Sequence, residues 1–355
     1  MKEKIISISF VGILLLFLTL GLFLKDRDIS SYERRKLMTT KKLKGDFIEN
    51  LDTYLTDQFP LRDELISIHS IFERYVLGNI ESNDVYIKDG YAIEKNYPLD
   101  SKSMQDFINK INYIQSHYLQ DSQVFYTIIP DKAYFLNSNK YLKMDYEEVL
   151  EGLSNNLKVD YIDITHLLTL DDYYKTDIHI KQPSYHKIIK EFSKYYHFPY
   201  HELEYKEHKY DKFYGATYSK IPSFTRPDTI IYLSNSILDK AYVRHLEYGD
   251  KEVYEEDQLE GVDSYNVFLH GPSAFIEIEN KEENVEGELI IFRDSFGSSF
   301  APLLIPYYKK ITLIDLRYMD LSVVEKYVDF KNKDILFAYS TLIVNNSNLL
   351  KVRIS

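Results

Sequence analysis

Ile290-Ile291-Phe292-Arg293-Asp294-Ser295-Phe296-Gly297-Ser298-Ser299-Phe300 changes character halfway along. From Glu288 to Phe292 it is a short β-branched and aromatic run, the composition of a buried strand. It breaks at Asp294-Ser295 and continues as a helix-like segment to about Tyr308. A strand-to-helix turn puts its serine at the C-terminal edge of a sheet. There the hydroxyl is exposed and the amides of the next turn face incoming negative charge. That is the setting a nucleophilic serine requires. The same residues also suit a plain helix cap, with Asp294 or Ser295 holding the first free amides.

Strands and helices alternate around this stretch. Strands are expected at Val124–Ile129, Val159–Ile164, 288–292, Ile311–Ile314 and Ile335–Ala338. Helices are expected at Tyr146–Leu157, Ser184–Tyr196, 296–308 and Leu321–Val328. Five short apolar strands separated by helices predict an α/β fold with a mainly parallel sheet covered on both faces. Ile290 and Ile291 are expected in a central strand, flanked by the strands near 311–314 and 159–164. Residues 199–287 interrupt the alternation and read as a β-rich insertion, with strands at Thr229–Leu233, Tyr242–Glu247, Tyr265–Leu269 and Ala274–Ile278.

The N-terminal part differs. Ile5 to Leu24 is a run of twenty residues without a charge, long enough to span a bilayer as a helix. No small-residue cleavage pattern follows it, so residues 1–25 read as an uncleaved signal anchor. Residues 26–45 are charged. Helical periodicity then runs from Phe47 to Leu77, split by Pro60. Val85 to Ile93 reads as a hairpin around Asp89-Gly90, and Ser101 to Tyr118 as an amphipathic helix. The chain therefore divides into an anchor, a region at 26–120, and an α/β domain at 121–355 that carries the insertion.

The 355 residues carry a net charge of −12, which argues against nucleic acid as a partner. There is no cysteine, so no disulfide, zinc-thiolate site or thiol nucleophile is available. The 33 tyrosines outnumber the 20 phenylalanines, which predicts half-exposed rings with wet hydroxyls, a surface suited to carbohydrate. Asp177-Ile178-His179 falls in the loop after the 159–164 strand, where ligands of parallel sheets gather. A carboxylate two residues before a histidine can take its Nδ1 proton and leave the other nitrogen free as a base. His197, His201 and His208 lack the spacing and partners of a metal site. Neither a metal nor a cofactor is expected.

Landmarks recur in a fixed order along the chain after the anchor. They are Glu33-Arg34-Arg35, Asp57-Gln58-Phe59-Pro60-Leu61-Arg62-Asp63, Val85 to Tyr91, Pro130-Asp131-Lys132, Tyr174 to His179, Phe213-Tyr214-Gly215 with Tyr218-Ser219-Lys220, Pro227-Asp228-Thr229, Asn266 to Leu269, Arg293 to Phe296, and Asp315-Leu316-Arg317-Tyr318. In this order the chain resembles the DHHW-motif proteins of Gram-positive bacteria, relatives of the SGNH-hydrolase-like proteins of alginate acetylation.

The resemblance implies an SGNH-like three-layer α/β/α fold with a Ser-His-Asp triad. Ser295 would be the nucleophile, His179 the base and Asp177 its orienting partner. Gly215, Gly271, Arg317 and Tyr318 would serve the oxyanion or the substrate. It further implies O-acetylation of a cell-surface polysaccharide, outside the membrane, with a membrane-bound O-acyltransferase as the partner that supplies acetyl groups. The chain departs from the family pattern at Ile178 and Ile180, which replace the motif's first histidine and its tryptophan. Lys181-Gln182 stands for the usual Thr-Pro, and Gly271-Pro272 for a Gly-Asn pair. Pro272 offers neither an amide side chain nor an N–H to an oxyanion. A carbohydrate esterase with the same triad, or a non-catalytic glycan-binding subunit, are the alternatives.

Overall fold

A computed structural model describes residues 2–30, 35–42, 47–79, 81–221 and 226–354. Helix α1 (Lys2–Phe23) includes a stretch long and apolar enough to cross a membrane. Helices α2 (Phe47–Asp57) and α3 (Arg62–Tyr75) are parted at Pro60. Glu33 and Arg34 of the first landmark lie outside the described residues. Arg35 forks onto Asp57 at 3.0 and 2.5 Å, and Asp57 also accepts from the Met38 N–H, so two landmarks meet. Strands β1 (Val85–Lys88) and β2 (Tyr91–Glu94) form the expected hairpin. Its turn residues Asp89 and Gly90 both have positive φ, at 51° and 83°, as a type I′ turn requires.

Helix α4 (Ser101–Tyr118) starts where the Asp100 carboxylate accepts from the Lys102 and Ser103 amides. Then follow β3 (Gln123–Ile129), α5 (Tyr146–Asn156), β4 (Asp160–Tyr161) and α6 (His186–Tyr196). Strands β5 (Lys206–Phe213) and β6 (Asp228–Ser234) make a separate antiparallel pair. Strands β7 (Tyr242–His245), β8 (Gly249–Lys251), β9 (Phe275–Glu279), β10 (Glu288–Arg293), β11 (Lys310–Ile314) and β12 (Asp334–Ser340) complete the order.

One eight-stranded sheet runs β8-β7-β9-β11-β10-β12-β3-β4. The five strands from β11 to β4 are parallel. The strands β9, β7 and β8 extend the sheet antiparallel, so three of the five described strands of the insertion join the main sheet. Alternate residues of each strand enter different cores. Leu289 and Ile291 pack with Leu313, Leu336 and the α6 residues Ile188, Ile189 and Phe192. Ile290 and Phe292 pack with Phe337 and with Phe107, Ile111, Val149 and Leu153 of α4 and α5. The result is three layers, α/β/α, with the strands buried on both faces.

Four expectations need correction. Strand β10 lies between β11 and β12, and residues 160–161 pair with β3 at the sheet edge. That edge strand is short because the Asp163 carboxylate accepts from the Thr165 amide and hydroxyl, which turns the chain away. Residues 264–267 form a 3-10 turn rather than a strand, because Asp263 caps the Tyr265 amide. The helix after Ser295 is α-helical only over Gly297–Phe300 and tightens to 3-10 over Ala301–Tyr307, where Pro302 and Pro306 remove amide donors. The helix expected at 321–328 is α-helical only over Leu321–Val324. The tyrosines divide between half-buried or exposed positions, such as Tyr200, Tyr214 and Tyr318, and the core, as at Tyr173, Tyr174, Tyr185, Tyr265 and Tyr339.

Ile291 is fully buried between Leu313 and Leu336. Ile291→Asp forces an unpaired carboxylate into that layer and is expected to cost roughly 4 kcal/mol or more. Thermal melts of the soluble fraction measure it; a variant that melts like the parent would remove β10 from the centre of the sheet.

Candidate active site

The C-terminal ends of the parallel strands converge on Ser295. Strand β10 ends at Arg293, and Asp294 turns the chain. The Asp294 carboxylate accepts from the Phe296 amide at 3.0 Å and from the Ser340 amide, at the end of β12, at 2.8 Å. Asp294 thus shapes the turn and locks it to the neighbouring strand. Ser295 is half-buried, and its own amide has no acceptor among the described residues. Gly297 is required by the Arg293 side chain, which folds beneath the turn. A Cβ at 297 would stand 2.8 Å from Arg293 Cβ.

The Asp177-Ile178-His179 segment comes from the loop after β4. Tyr173 and Ile180 form an antiparallel bridge, and the Tyr174 amide donates to the His179 carbonyl. The loop is therefore pinched shut, with Asp177 to His179 at its tip. His179 Nδ1 lies 2.5 Å from Asp177 Oδ1, and His179 Nε2 lies 2.8 Å from Ser295 Oγ. Asp177 is fully buried. With the proton on Nδ1, the ring donates to the carboxylate and presents a free Nε2 lone pair to the serine hydroxyl. The arrangement can remove the hydroxyl proton as the oxygen attacks an acyl carbon.

Gly215 stands behind this relay. A Cβ there would lie 2.2 Å from Asp177 Cβ, and the Gly215 amide donates to Thr176 Oγ1 at 3.0 Å. The next amide, of Ala216, donates to Asp177 Oδ2 at 2.8 Å. Gly215 therefore supports the carboxylate, and its amide does not face the oxyanion. The Gly271 amide donates to the Phe268 carbonyl, and its φ of 83° follows positive values at Leu269 and His270. It too is engaged within its own turn. Arg317 donates from Nε and Nη2 to Asp315 at 2.9 and 2.6 Å, and its guanidinium lies over the Tyr318 ring. Tyr318 is exposed. Arg317 is thus committed to a buried carboxylate, while Tyr318 remains available at the surface. Among the described residues no group of three or more His, Asp or Glu side chains is arranged to hold a metal ion.

Other residues at the site carried no assigned role in the sequence. The Tyr265 ring stacks on His179, with centroids 3.8 Å apart and planes 8° from parallel. Its hydroxyl is anchored on Ser299 Oγ at 2.7 Å. An electron-rich face against the imidazole favours the cation that forms when the ring takes a proton. The cap Asp263-Ser264-Tyr265 is the signal that could have placed it on a turn. Gln182 is fully buried, donates to the Ser299 carbonyl and accepts from the Leu233 amide. It ties the histidine loop to the serine helix and to β6. Asp228 accepts from the Lys175 and Thr176 amides. Lys132 is buried, with Nζ on the Tyr174 carbonyl at 3.1 Å. Burial pushes its ammonium down to about 8, although the Asp177, Asp228, Glu94 and Asp131 carboxylates oppose the shift.

Gly215→Ala drives a methyl into Asp177 without backbone strain, because φ there is −77°. The His179–Asp177 hydrogen bond is expected to break, read as loss of its low-field proton resonance. Ester turnover should fall about 100-fold, the scale of a 1 Å displacement at a reacting group. Lys132 makes a separate prediction. Its folded value of about 8 lies below the ordinary 10.5, so over that interval the unfolded chain holds a proton that the folded chain has released. Stability therefore rises with pH between about 8 and 10.5, and the burial cost is fully present below that window. Urea midpoints across this range are expected to climb in the parent relative to Lys132→Met; parallel curves would show that Lys132 does not titrate there.

No family model matches the chain, and no curated protein sequence does. Solved structures do match. A DHHW family protein from Eubacterium siraeum superposes with TM-score 0.62 at 22% identity, over 76% of this chain and 95% of that one. PatB1 from Bacillus cereus, in a structure with a sulfonyl adduct, superposes with TM-score 0.57 at 17% identity, over 75% and 97%. The O-acetyltransferase domain of Pseudomonas putida AlgJ reaches only 0.45 at 11% identity, too low to carry an argument. The chain has the mixed α/β fold of that DHHW family protein and of PatB1.

Proposed function

We propose that this chain is a membrane-anchored O-acetyltransferase that acts outside the cytoplasm on a cell-surface polysaccharide. The observation that carries the reading is the continuous relay from Asp177 through His179 to a half-buried Ser295. The family resemblance supplies the substrate class, the membrane-bound O-acyltransferase as acetyl source, and the SGNH-like domain after residue 120. Helix α1 supplies the anchor.

In the proposed reaction His179 Nε2 takes the Ser295 hydroxyl proton as Oγ attacks the acetyl carbonyl carbon. The Ser295 amide has no acceptor among the described residues and would donate to the developing oxyanion. Collapse expels the donor's leaving group, which leaves with the proton from His179. A sugar hydroxyl then gives its proton to His179 and attacks the acetyl-serine. Ser295 Oγ departs and recovers that proton. Asp177 holds the ring and stabilises the imidazolium in both halves. Water in place of the sugar hydroxyl would make the same site an esterase.

Ser295→Ala and His179→Ala are each expected to abolish turnover of nitrophenyl acetate. The double variant should be no worse than either, because one unit is disabled. Asp177→Asn should lose most activity and keep its melting temperature. A sulfonyl fluoride should label Ser295 in the parent, since activated oxygen nucleophiles take up sulfonyl groups. Equal ester turnover in parent and Ser295→Ala, with no label at 295, would sink the triad. Acetyl appearing on added oligosaccharide, rather than as free acetate, separates the transferase from the esterase.

A further inference from the structure

Helix α3 is amphipathic in the inverse sense to a helix of a water-soluble body. Leu61, at its start, and Leu65, Ile68, Phe72 and Val76 recur at spacings of four, three, four and four, which places them in one stripe. Each is at least 40% exposed. Several polar residues turn inward, while Glu64 and His69 stay exposed on the flanks of the stripe. Ser70 is buried, the Glu73 carboxylate accepts from Ser82 Oγ, and Asp63 pairs with Arg27 at 2.7 Å. A helix that displays a continuous apolar stripe while part of its polar side is buried or paired fits a non-aqueous neighbour.

The position of α3 identifies that neighbour. Its entry corner packs on the end of α1: Phe59 stacks on Phe17 at 5.2 Å, and a methyl at Gly21 would touch the Pro60 ring at 3.7 Å. The 22 residues of α1 span about 33 Å, close to a bilayer core of about 30 Å. Phe17 lies six residues before the helix end, about 9 Å inside it. Phe59 is at the same depth, and the three residues to Arg62 cover at most about 10 Å. The Asp63–Arg27 pair, with Arg27 four residues past the end of α1, puts the start of the stripe at the level where α1 leaves the hydrocarbon. A groove of about 950 Å³ between α1 and α2 adjoins the stripe, with Leu14, Phe17, Leu55 and Phe59 among its apolar walls and Lys25, Asp26, Asp28 and Lys41 among its polar ones.

We propose that α3 is a second membrane contact, an interfacial helix that lies in the headgroup layer of the bilayer that α1 crosses. The contact rests on α1 being a membrane anchor. With both helices engaged, the body has one face toward the lipid rather than free rotation about a tether. The occupant is the lipid surface itself; a second copy of the chain or a membrane-embedded partner on the stripe would be a different result.

The chain has no tryptophan, so a substituted one is the sole reporter. Full-length Ile68→Trp, Phe72→Trp and Phe10→Trp are placed in phosphatidylcholine and phosphatidylglycerol vesicles, with and without phosphatidylcholine brominated near the top of its acyl chains. The inference expects blue-shifted emission at 68 and 72, and loss of that emission in the brominated vesicles. Loss at Phe10→Trp only would overturn the α3 contact and leave the anchor standing. No loss at any of the three would remove both. Blue-shifted emission at 68 that bromine does not quench, and that grows with protein concentration, would assign the stripe to a second copy and overturn the proposal.

Discussion

A fully buried guanidinium, that of Arg293, sets the construction of the sheet edge. Such a charge is tolerated when a carboxylate neutralises it and hydrogen bonds offset its desolvation; here both terminal nitrogens are used, and Nε has no partner among the described residues. Asp315, at the end of β11, lies 3.7 Å away and is itself fully buried. Further donors reach the Asp294 and Ser273 carbonyls and Ser298 Oγ. One side chain therefore joins β10, β11, the loop before β9 and the helix after Ser295. It also fixes residue 297 as glycine, because the space above the guanidinium stem is already filled. The turn that presents Ser295 is consequently held from below by Arg293 and from the side by Asp294 on the Ser340 amide.

The histidine side depends on different contacts. Asp177 and His179 are carried by a loop, and loops place side chains less accurately than strands do. Here the loop is clamped at three points. Asp228 holds the Lys175 and Thr176 amides, Ala216 reaches the second carboxylate oxygen of Asp177, and Gln182 spans to Ser299 and Leu233. Two of these clamps come from the region between residues 199 and 287. That region is therefore structural support for the relay, beyond adding antiparallel strands to the sheet.

What the sequence revealed follows from the range of the interactions involved. Strand β10 and its serine turn were legible because both are local: a β-branched run, then Asp-Ser, then Gly. The Asp177–His179 pair was legible because its partners are two residues apart. The parallel block was legible from the alternation of strand and helix, but its order was not, since periodicity does not say which strand is β10's neighbour. Tyr265 was missed because the stretch from 265 to 269, aromatic and aliphatic apart from Asn266, favours a strand, and a single cap at Asp263 overrides it. Gly215 and Gly271 stand out in the sequence only through the family resemblance, and the structure gives each a steric reason to be glycine. Each is a glycine because another side chain, Asp177 or Asn266, occupies the place of its Cβ. Such approaches over long sequence separations leave no local trace.

The same distinction bears on the residues that depart from the family pattern. Ile180 is fully buried in the core shared by Tyr173 and Tyr185, so it retains the packing task of a large apolar residue without a ring. Gln182 replaces a proline with a side chain that makes three hydrogen bonds across the site. Pro272 follows three successive residues of positive φ, where its fixed φ helps to end the turn. Among the described residues, none of the three makes a hydrogen bond to the side chains of Asp177, His179 or Ser295. The departures therefore change how the loop around Asp177 and His179 is braced, while the two hydrogen bonds from Asp177 through His179 to Ser295 are made by side chains that the departures leave in place.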